Sequence, residues 1–420
     1  MKIVKSVLED TLNKIGGFRD KEHSTVSFII KKGVLTLLVR NETDFATRIL
    51  SDVDGIEEME SFAVEVGELM YVLGYSDGDV VDFRFVDNKV QISSGIINVK
   101  VGRGEISKVS MTNGENKVTY SMDADAFVQS ITLASNAIEV AIDFKGCVSV
   151  EVVDNKAKVQ ALDGTIGIFD YFKINADKNF TLNIPKEKIA LFKGLVGEYK
   201  GVYDIDNQVM AATNGEYMFN IKLKEFKVDD FRTRLGFGDN LMDLFEQSDV
   251  VLDITKEELS KCVNLFKNLK SGVHARFESG NNKYTLTCTT DDRTVTVDIQ
   301  GTAMIKGDVH LFYFDINKIK WIQHLKEDKV FIFFKKYVTG MPMTISKIVP
   351  YNTSEGEFDD ITARKVGLFL PIKDNTVDSF YSGLEGGQGS DNQTTDDTQD
   401  QDEQSEEEEE IDEEGNEEEE

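Results

Sequence analysis

The 420-residue sequence predicts an α+β protein built by tandem repetition of one small module. Three observations carry that prediction. A β-like run leads into a helix-like run in FAVEVGELMYVL from Phe62, and the same order returns in FTLNIPKEKIALF from Phe180 and FYFDINKIKWI from Phe312. Each of these is preceded by a weaker version of itself, in IVKSVLEDTLNKI from Ile3, YSMDADAFVQSITLA from Tyr120 and LDITKEELSKCVNLF from Leu252. The six starts are spaced by 59, 58, 60, 72 and 60 residues, and self-similarity at a near-constant period marks a repeated architecture.

Taken in chain order, the second helix places Val66, Leu69, Met70 and Leu73 on one face, and extended chain follows in DVVDFRFVDNKVQISSG. The fourth helix starts beside Pro185, where a missing N–H costs little. The helix-like insert DNLMDLFEQ at 239–247 accounts for the long fourth spacing and reads as a linker region. In the fifth helix Leu259, Cys262, Val263, Phe266 and Leu269 keep helical spacing, with Thr255 as N-cap and Glu258 three residues on to complete a capping box. Segments such as VQISSGIINVKV and RTVTVDIQGTAMI alternate with period two, as strands with one buried face do, and VDNK and TNGE supply turns. ARKVGLFLPI reads as the final strand, in preference to the MPM stretch at 341–343, which falls at a turn. Helices on one side of antiparallel sheet make an α+β arrangement, with domain edges expected near 116, 245 and 373.

The formal net charge is -29, and 19 acidic residues with no basic ones lie in 381–420. The rest of the chain is only moderately acidic. The tail has too few apolar residues to offset the entropy of ordering, so it is expected to be disordered, as a partner-binding or DNA-mimicking arm or a solubilising appendage. No apolar run reaches membrane length and the N-terminus mixes charge into every turn, so neither a secretory signal nor a spanning helix is expected and the chain reads as cytoplasmic. Cys147, Cys262 and Cys288 form no CxxC pair, which argues for free thiols in packed positions and against a zinc site. His23, His274, His310 and His324 lack HExxH or triad context, no GK[ST] phosphate loop occurs, and DVDG at 52 lacks the later ligands of a calcium loop. These absences exclude the common catalytic classes: a non-enzyme with no metal or other cofactor is expected.

The pattern resembles the DNA polymerase III β subunit, the bacterial sliding clamp, over roughly residues 1–373. VQALDGTIGIFDY at 159–171 is similar to that family's threonine-aspartate-glycine-histidine-arginine-leucine segment, with Asp163 and Gly164 kept and Thr165, Ile166 and Gly167 in place of the last three residues. GVLTLLVRNETDFATRI at 33–49 is similar to the first domain's glycine-strand-threonine-aspartate run, and KIGGFRDK at 14–21 sits like the family's glycine-glycine-arginine loop. The resemblance implies three clamp domains, 1–116, 117–245 with a linker, and 246–373, followed by the acidic tail 374–420. Each domain would hold two βα units with antiparallel sheets outside and helices inside. It implies a head-to-tail homodimeric ring around double-stranded DNA, a DNA polymerase and a clamp loader as partners, and no membrane.

The resemblance also implies sites. DNA contact would come from Lys14, Arg19 and Lys21 in the first domain, from Lys186, Lys188, Lys193 and Lys200 on helix four, from Lys256, Lys261, Lys267 and Lys270 on helix five, and from Lys318, Lys320 and Lys326 on helix six. Phosphate contacts of this kind attract without reading sequence and permit sliding. Each lysine could equally belong to an ordinary solvated helix face. A hollow for partner peptides would use Leu162, Gly164, Thr165 and Ile166 on one wall, Leu235 and Phe237 in the linker, and Leu368, Leu370, Pro371 and Ile372 opposite. Ring closure would use Val99 and Val101 on an edge strand and Leu265 and Phe266 in the third domain. Core packing is the alternative for every apolar member. The rival reading is a single-stranded DNA-binding replication protein with a partner-recruiting tail, in which rings of YFKINADKNF and FIFFKKY stack on bases. An acidic-tailed scaffold or chaperone is a second.

Overall fold

Strand, helix, strand, strand, strand is the order that the chain repeats six times. The computed structural model describes residues 1–369 apart from Asp52, 111–113, 139–145, 164–165, 226–244, 270–271, 280–282, 336–345 and 352–365, and beyond 369 only Val377 and Ser379. The expected tail, the MPM stretch and most of the 239–247 insert lie outside these residues. Met1–Asp374 makes one compact unit.

The first repeat runs β1 (Lys2–Val4), α1 (Lys5–Ile15) with a 3-10 turn at Gly16–Phe18, β2 (Thr25–Lys31), β3 (Val34–Arg40) and β4 (Phe45–Leu50). The second is β5 (Phe62–Glu65), α2 (Val66–Tyr75), β6 (Val80–Val86), β7 (Lys89–Ser94) and β8 (Ile97–Gly102). The third is β9 (Lys117–Asp123), α3 (Ala124–Ser135), β10 (Cys147–Val153), β11 (Lys156–Asp163) and β12 (Ile166–Ala176). The fourth is β13 (Phe180–Pro185), a 3-10 helix at Lys186–Phe192, β14 (Glu198–Asp204), β15 (Val209–Thr213) and β16 (Tyr217–Lys222). The fifth is β17 (Val250–Thr255), α4 (Lys256–Phe266), β18 (Val273–Glu278), β19 (Lys283–Thr289) and a last strand broken into β20 (Thr294–Asp298) and β21 (Thr302–Ile305). The sixth is β22 (Val309–Phe314), a 3-10 helix at Ile316–His324, β23 (Lys329–Phe334), β24 (Ser346–Tyr351) and β25 (Val366–Phe369).

Local chemistry explains the helix starts. Asp123 caps α3 by accepting from the Asp125 and Ala126 N–H groups, and the Thr255 hydroxyl caps α4 by accepting from the Glu258 N–H at 3.2 Å. The fourth and sixth helices are 3-10 and not α. Their buried apolar residues recur every three positions, at Ile189 and Phe192 and at Ile316, Ile319 and Ile322, which matches three residues per turn. In α2 the buried stripe is Val66, Leu69, Val72 and Leu73, while Met70 is 42% exposed, so Met70 does not belong to the core face expected for it.

Pairing joins the repeats two by two. In each pair the first strand of one unit bonds to the second strand of the other, both ways round: β1 to β6 and β2 to β5, β9 to β14 and β10 to β13, β17 to β23 and β18 to β22, all antiparallel. Last strands join one pair to the next. β4 bonds to β16 through Phe45–Asn220 and Arg48–Tyr217, and β12 bonds to β25 through Ile166–Phe369 and Phe169–Val366. Among the described residues two last strands have no such neighbour: β8 ends the sheet β1-β6-β7-β8, and β20 ends the sheet β20-β19-β18-β22.

Every helix lays its apolar face on its sheets. The buried rings Phe28 and Phe62 stack at 4.6 Å under the first pair, and each fully buried ring of this kind contributes about 1.5–3 kcal/mol. Two glycines let backbone meet ring. A Cβ on Gly201 would lie 2.2 Å from the Tyr120 ring, and one on Gly367 would lie 1.9 Å from Trp321 Cζ2. A turn of helix at 245–247 covers the outer face of the last pair, with Phe245 edge-on to Phe333 and Phe331 at 5.1 and 5.7 Å.

Candidate nucleic-acid interface

The helices form a row. A Cβ on Gly17, after α1, would meet Leu191 of the 3-10 helix Lys186–Phe192 at 3.5 Å, and one on Gly194 would meet Lys14 Cγ at 3.4 Å. Next along the row, α3, Gly194–Val196 and the His324–Leu325 end of the last 3-10 helix line a cavity of about 370 Å³. Gln323 then donates to Asn264 of α4 at 3.2 Å. The row thus runs α1, 186–192, α3, 316–324, α4, with α2 in the same structural place on the remaining unit.

Of the expected DNA contacts, Arg19, Lys21, Lys193 and Lys320 are exposed and hold no ion pair among the described residues, and the same is true of Lys326. Lys267 is exposed and bonds only to Asn264 at 3.1 Å, whereas Lys261 pairs with Glu257 at 2.9 Å and Glu258 at 3.9 Å. Hydrogen bonding to Glu257 holds the Lys261 ammonium above its ordinary pKa. Four expectations need correction. Lys200 is not on a helix: it stands on β14, on the outward face of the sheet. Lys186 donates to the Ile138 carbonyl, Lys188 pairs with the buried carboxylate of Asp44 at 2.8 Å, and Lys318 is half-buried. Desolvation or a fixed partner makes these three poor phosphate ligands.

Lys14 belongs to a junction network. Its ammonium lies 3.2 Å from Asp10 and 5.0 Å from the Tyr217 ring, while Arg48 donates to Asp10 at 2.6 Å and to the Thr11 hydroxyl at 2.8 Å and lies over the same ring. Burial raises the Asp10 carboxyl, but hydrogen bonds from Arg48 and Lys14 outweigh it and hold the group below the ordinary carboxylate range. A carboxyl depressed in the folded state stabilises fully above its unfolded pKa, about 3.9, and loses that contribution as pH falls through the lower folded value. Asp10→Asn should therefore flatten the acid limb of stability below about pH 4 relative to the parent chain, as read by thermal melts across pH.

The peptide hollow is only partly described. Gly164, Thr165, Leu235, Phe237, Leu370, Pro371 and Ile372 lie outside the described residues. Leu162 is half-buried and Ile166 is buried, so Ile166 serves the core. Leu162 stands opposite Gly167, Gly167 opposite Leu368, and Leu368 opposite Lys347, so the two expected walls are neighbouring strands of one sheet. In the stacking runs of the rival reading Phe172, Phe180, Phe331, Phe333 and Phe334 are all buried and Tyr171 is half-buried under Lys156, while Tyr337 lies outside the described residues.

The expected closure residues divide. β8 is an edge strand, but Val101 is buried and Val99 packs on the core; Phe266 is fully buried, so these side chains serve their own chain. Leu265 is 51% exposed. Sequence reasoning missed the other apolar face at this end of the row: Met70, Tyr71 and Tyr75 on α2, exposed, with the two tyrosine rings 4.9 Å apart. Its signal was present, since Tyr71 and Tyr75 are four apart and fall off the Val66–Leu69–Leu73 stripe. Among the described residues no cluster of three His, Cys, Asp or Glu could hold a metal, no helix is long and apolar enough to cross a membrane, and the three cysteines are buried thiols in no disulfide.

No family model and no curated protein sequence matches the chain. Solved structures do. The DNA polymerase III β subunit of Thermotoga maritima superposes with a TM-score of 0.71 at 12% identity, covering 89% of this chain and 98% of that one. The β chain of Streptococcus pneumoniae gives 0.71 at 14% identity, covering 89% and 99%, and a Helicobacter pylori β clamp bound to a DNA ligase peptide gives 0.69 at 13%, covering 89% and 99%.

Proposed function

We propose that this chain, which has the fold of the DNA polymerase III β sliding clamps, is a processivity clamp: two copies close head to tail around duplex DNA and tether a polymerase after a loader has opened them. Each pair of repeats is then one domain, with limits near 116, 245 and 373. Retention comes from topology, and exposed cations on the helix row give sequence-independent attraction to phosphate. No chemistry is required of the chain. Partner peptides would enter beside Leu162 and the strand carrying Leu368, where apolar anchors supply most of the affinity.

The observation that carries this reading is the pair of unmatched last strands. Ala46 of β4, Ile168 of β12 and Val295 of β20 hold one structural position, opposite Val39, Ala161 and Cys288 of the preceding strand. Phe219 of β16 and Val99 of β8 hold another, opposite Ala212 and Ile92. Phe219 faces Ala46 within the chain, so β8 of one copy meets β20 of the next with Val99 opposite Val295 and Asn98 opposite Thr296. The helices agree. At the other two junctions the row continues unbroken, and at this one Leu265 of α4 would meet Met70, Tyr71 and Tyr75 of α2. A heterologous contact that closes by rotation leaves no free edge.

Cysteines at Asn98 and Thr296 test the register. Under mild oxidation the double variant Asn98→Cys/Thr296→Cys should form a covalent dimer, and neither single variant should. Loaded on nicked circular DNA, the linked dimer should survive high salt and leave when the circle is cut. A monomer in solution, or equal retention on linear and circular DNA, would refute the clamp reading.

A further inference from the structure

The middle pair of repeats carries a concavity that the clamp reading does not use. It has a volume of about 780 Å³ and lies on the outward face of β9, β14 and β15. Val202, Ala211 and Met218 make an apolar floor, Ser121 and Thr213 line it with hydroxyls, Asp177 lines it with a carboxylate that accepts from the Thr119 hydroxyl at 2.6 Å, and Lys200 supplies the exposed cation. Val202 is 37% exposed, and Lys200 has no ion pair among the described residues.

The repeat shows what covers such a face. Lys200 and Val202 pair with Ser121 and Thr119 on β9, and at the same places in the last pair Phe331 and Phe333 pair with Asp253 and Val251 on β17. There the outer face is closed by the turn of helix at 245–247, through the ring of Phe245, with Glu246 beside it. That turn comes from the chain preceding β17. The corresponding chain preceding β9 is shorter: its residues 107 and 108 are held on the first pair, where the Ser107 N–H donates to Ser27 Oγ at 2.9 Å and Arg40 donates to the Lys108 carbonyl at 2.8 Å, and its residues 114–116 donate to Asp204 and Asp206 at the turn after β14. Among the described residues, no segment covers the face on the middle pair.

We infer that this concavity is a docking groove for a partner protein, filled by one helical turn that presents an aromatic anchor to Val202, Ala211 and Met218 and a carboxylate to Lys200. An aromatic side chain seated on apolar surface is the usual anchor of a protein contact. An unpaired lysine at its edge, on a chain of net charge -29, selects an acidic residue beside that ring. The inference rests on the internal repeat and not on ring closure, so it survives if the chain is no clamp.

The probe is a fluorescently labelled peptide of this chain's own residues 239–248, DNLMDLFEQS, which contains the turn that closes the equivalent face. Titrated with the full-length chain, it should bind saturably, and replacing its phenylalanine by alanine should weaken binding about tenfold or more. On the protein, Val202→Asp and, separately, Thr213→Arg should each abolish the signal. Lys200→Ala should weaken it about threefold and remove most of its salt dependence. Absence of saturable binding overturns the proposal. So does binding that both groove variants leave intact, which would mean that the peptide had displaced its own copy from Phe331 and Phe333.

Discussion

Asp44→Ala should destabilise the chain by about 3 kcal/mol, the lower end of the 3–5 kcal/mol found when one partner of a buried pair is removed. Asp44 is 2% exposed and stands where β4 meets β16. Its two carboxylate oxygens accept from Lys188 Nζ at 2.9 and 2.8 Å, and one of them also accepts from the Lys222 N–H at 2.8 Å. Truncation leaves that N–H and the ammonium without their acceptor in a place that water reaches poorly. Lys188 is 19% exposed and keeps the Lys222 carbonyl at 2.7 Å, which is why the lower figure is expected. Urea unfolding measures the loss, and Asp44→Asn should recover part of it. A change under 1 kcal/mol would show that the junction does not depend on this pair. Lys188→Met should cost at least as much as Asp44→Ala, since it leaves a carboxylate that is 2% exposed with no cation beside it.

Gly367→Ala should also cost about 2–3 kcal/mol, through overpacking. The new methyl would lie 1.9 Å from Trp321 Cζ2, and Trp321 is 1% exposed with no room to retreat. Either the ring shifts or β25 lifts from β12 and β24, its two neighbours. A second substitution separates the causes. In a Trp321→Leu background the same glycine change should cost much less, because the obstructing ring is gone, and that difference is the coupling between the two positions. Equal costs in both backgrounds would place the strain elsewhere.

Much of the architecture is legible in the sequence, for reasons that particular residues make plain. The six starts keep their spacing because each unit must supply the same strand and helix to the same sheet positions. Thr255 and Glu258 announce α4 through capping chemistry that needs no tertiary contact. The fourth and sixth helices carry a quieter signal. Ile316, Ile319 and Ile322 are three apart, and an eye set for spacings of three and four passes over them. Lys200 follows the fourth helix closely in sequence, but Tyr199, Gly201 and Tyr203 alternate around it, and that period of two marks a strand. Val99 and Val101 lie on a strand that ends its sheet, but what a sheet edge offers a neighbour is its backbone, while its inward side chains belong to the core. Ion pairs such as Asp44 with Lys188 join residues 144 positions apart, and no local pattern announces them.

The crossed bonding of first and second strands within each pair bears on synthesis. When only the leading unit of a pair has left the ribosome, β1 lacks its ladder partner and β2, though paired with β3, has its other edge open, since β6 and β5 are still unmade. The smallest piece able to fold is therefore a whole pair, assembled late through contacts distant along the chain, which makes the process slow. Deleting or inserting a single unit strands two ladders at once. Such a molecule can grow or shrink in evolution only by twos.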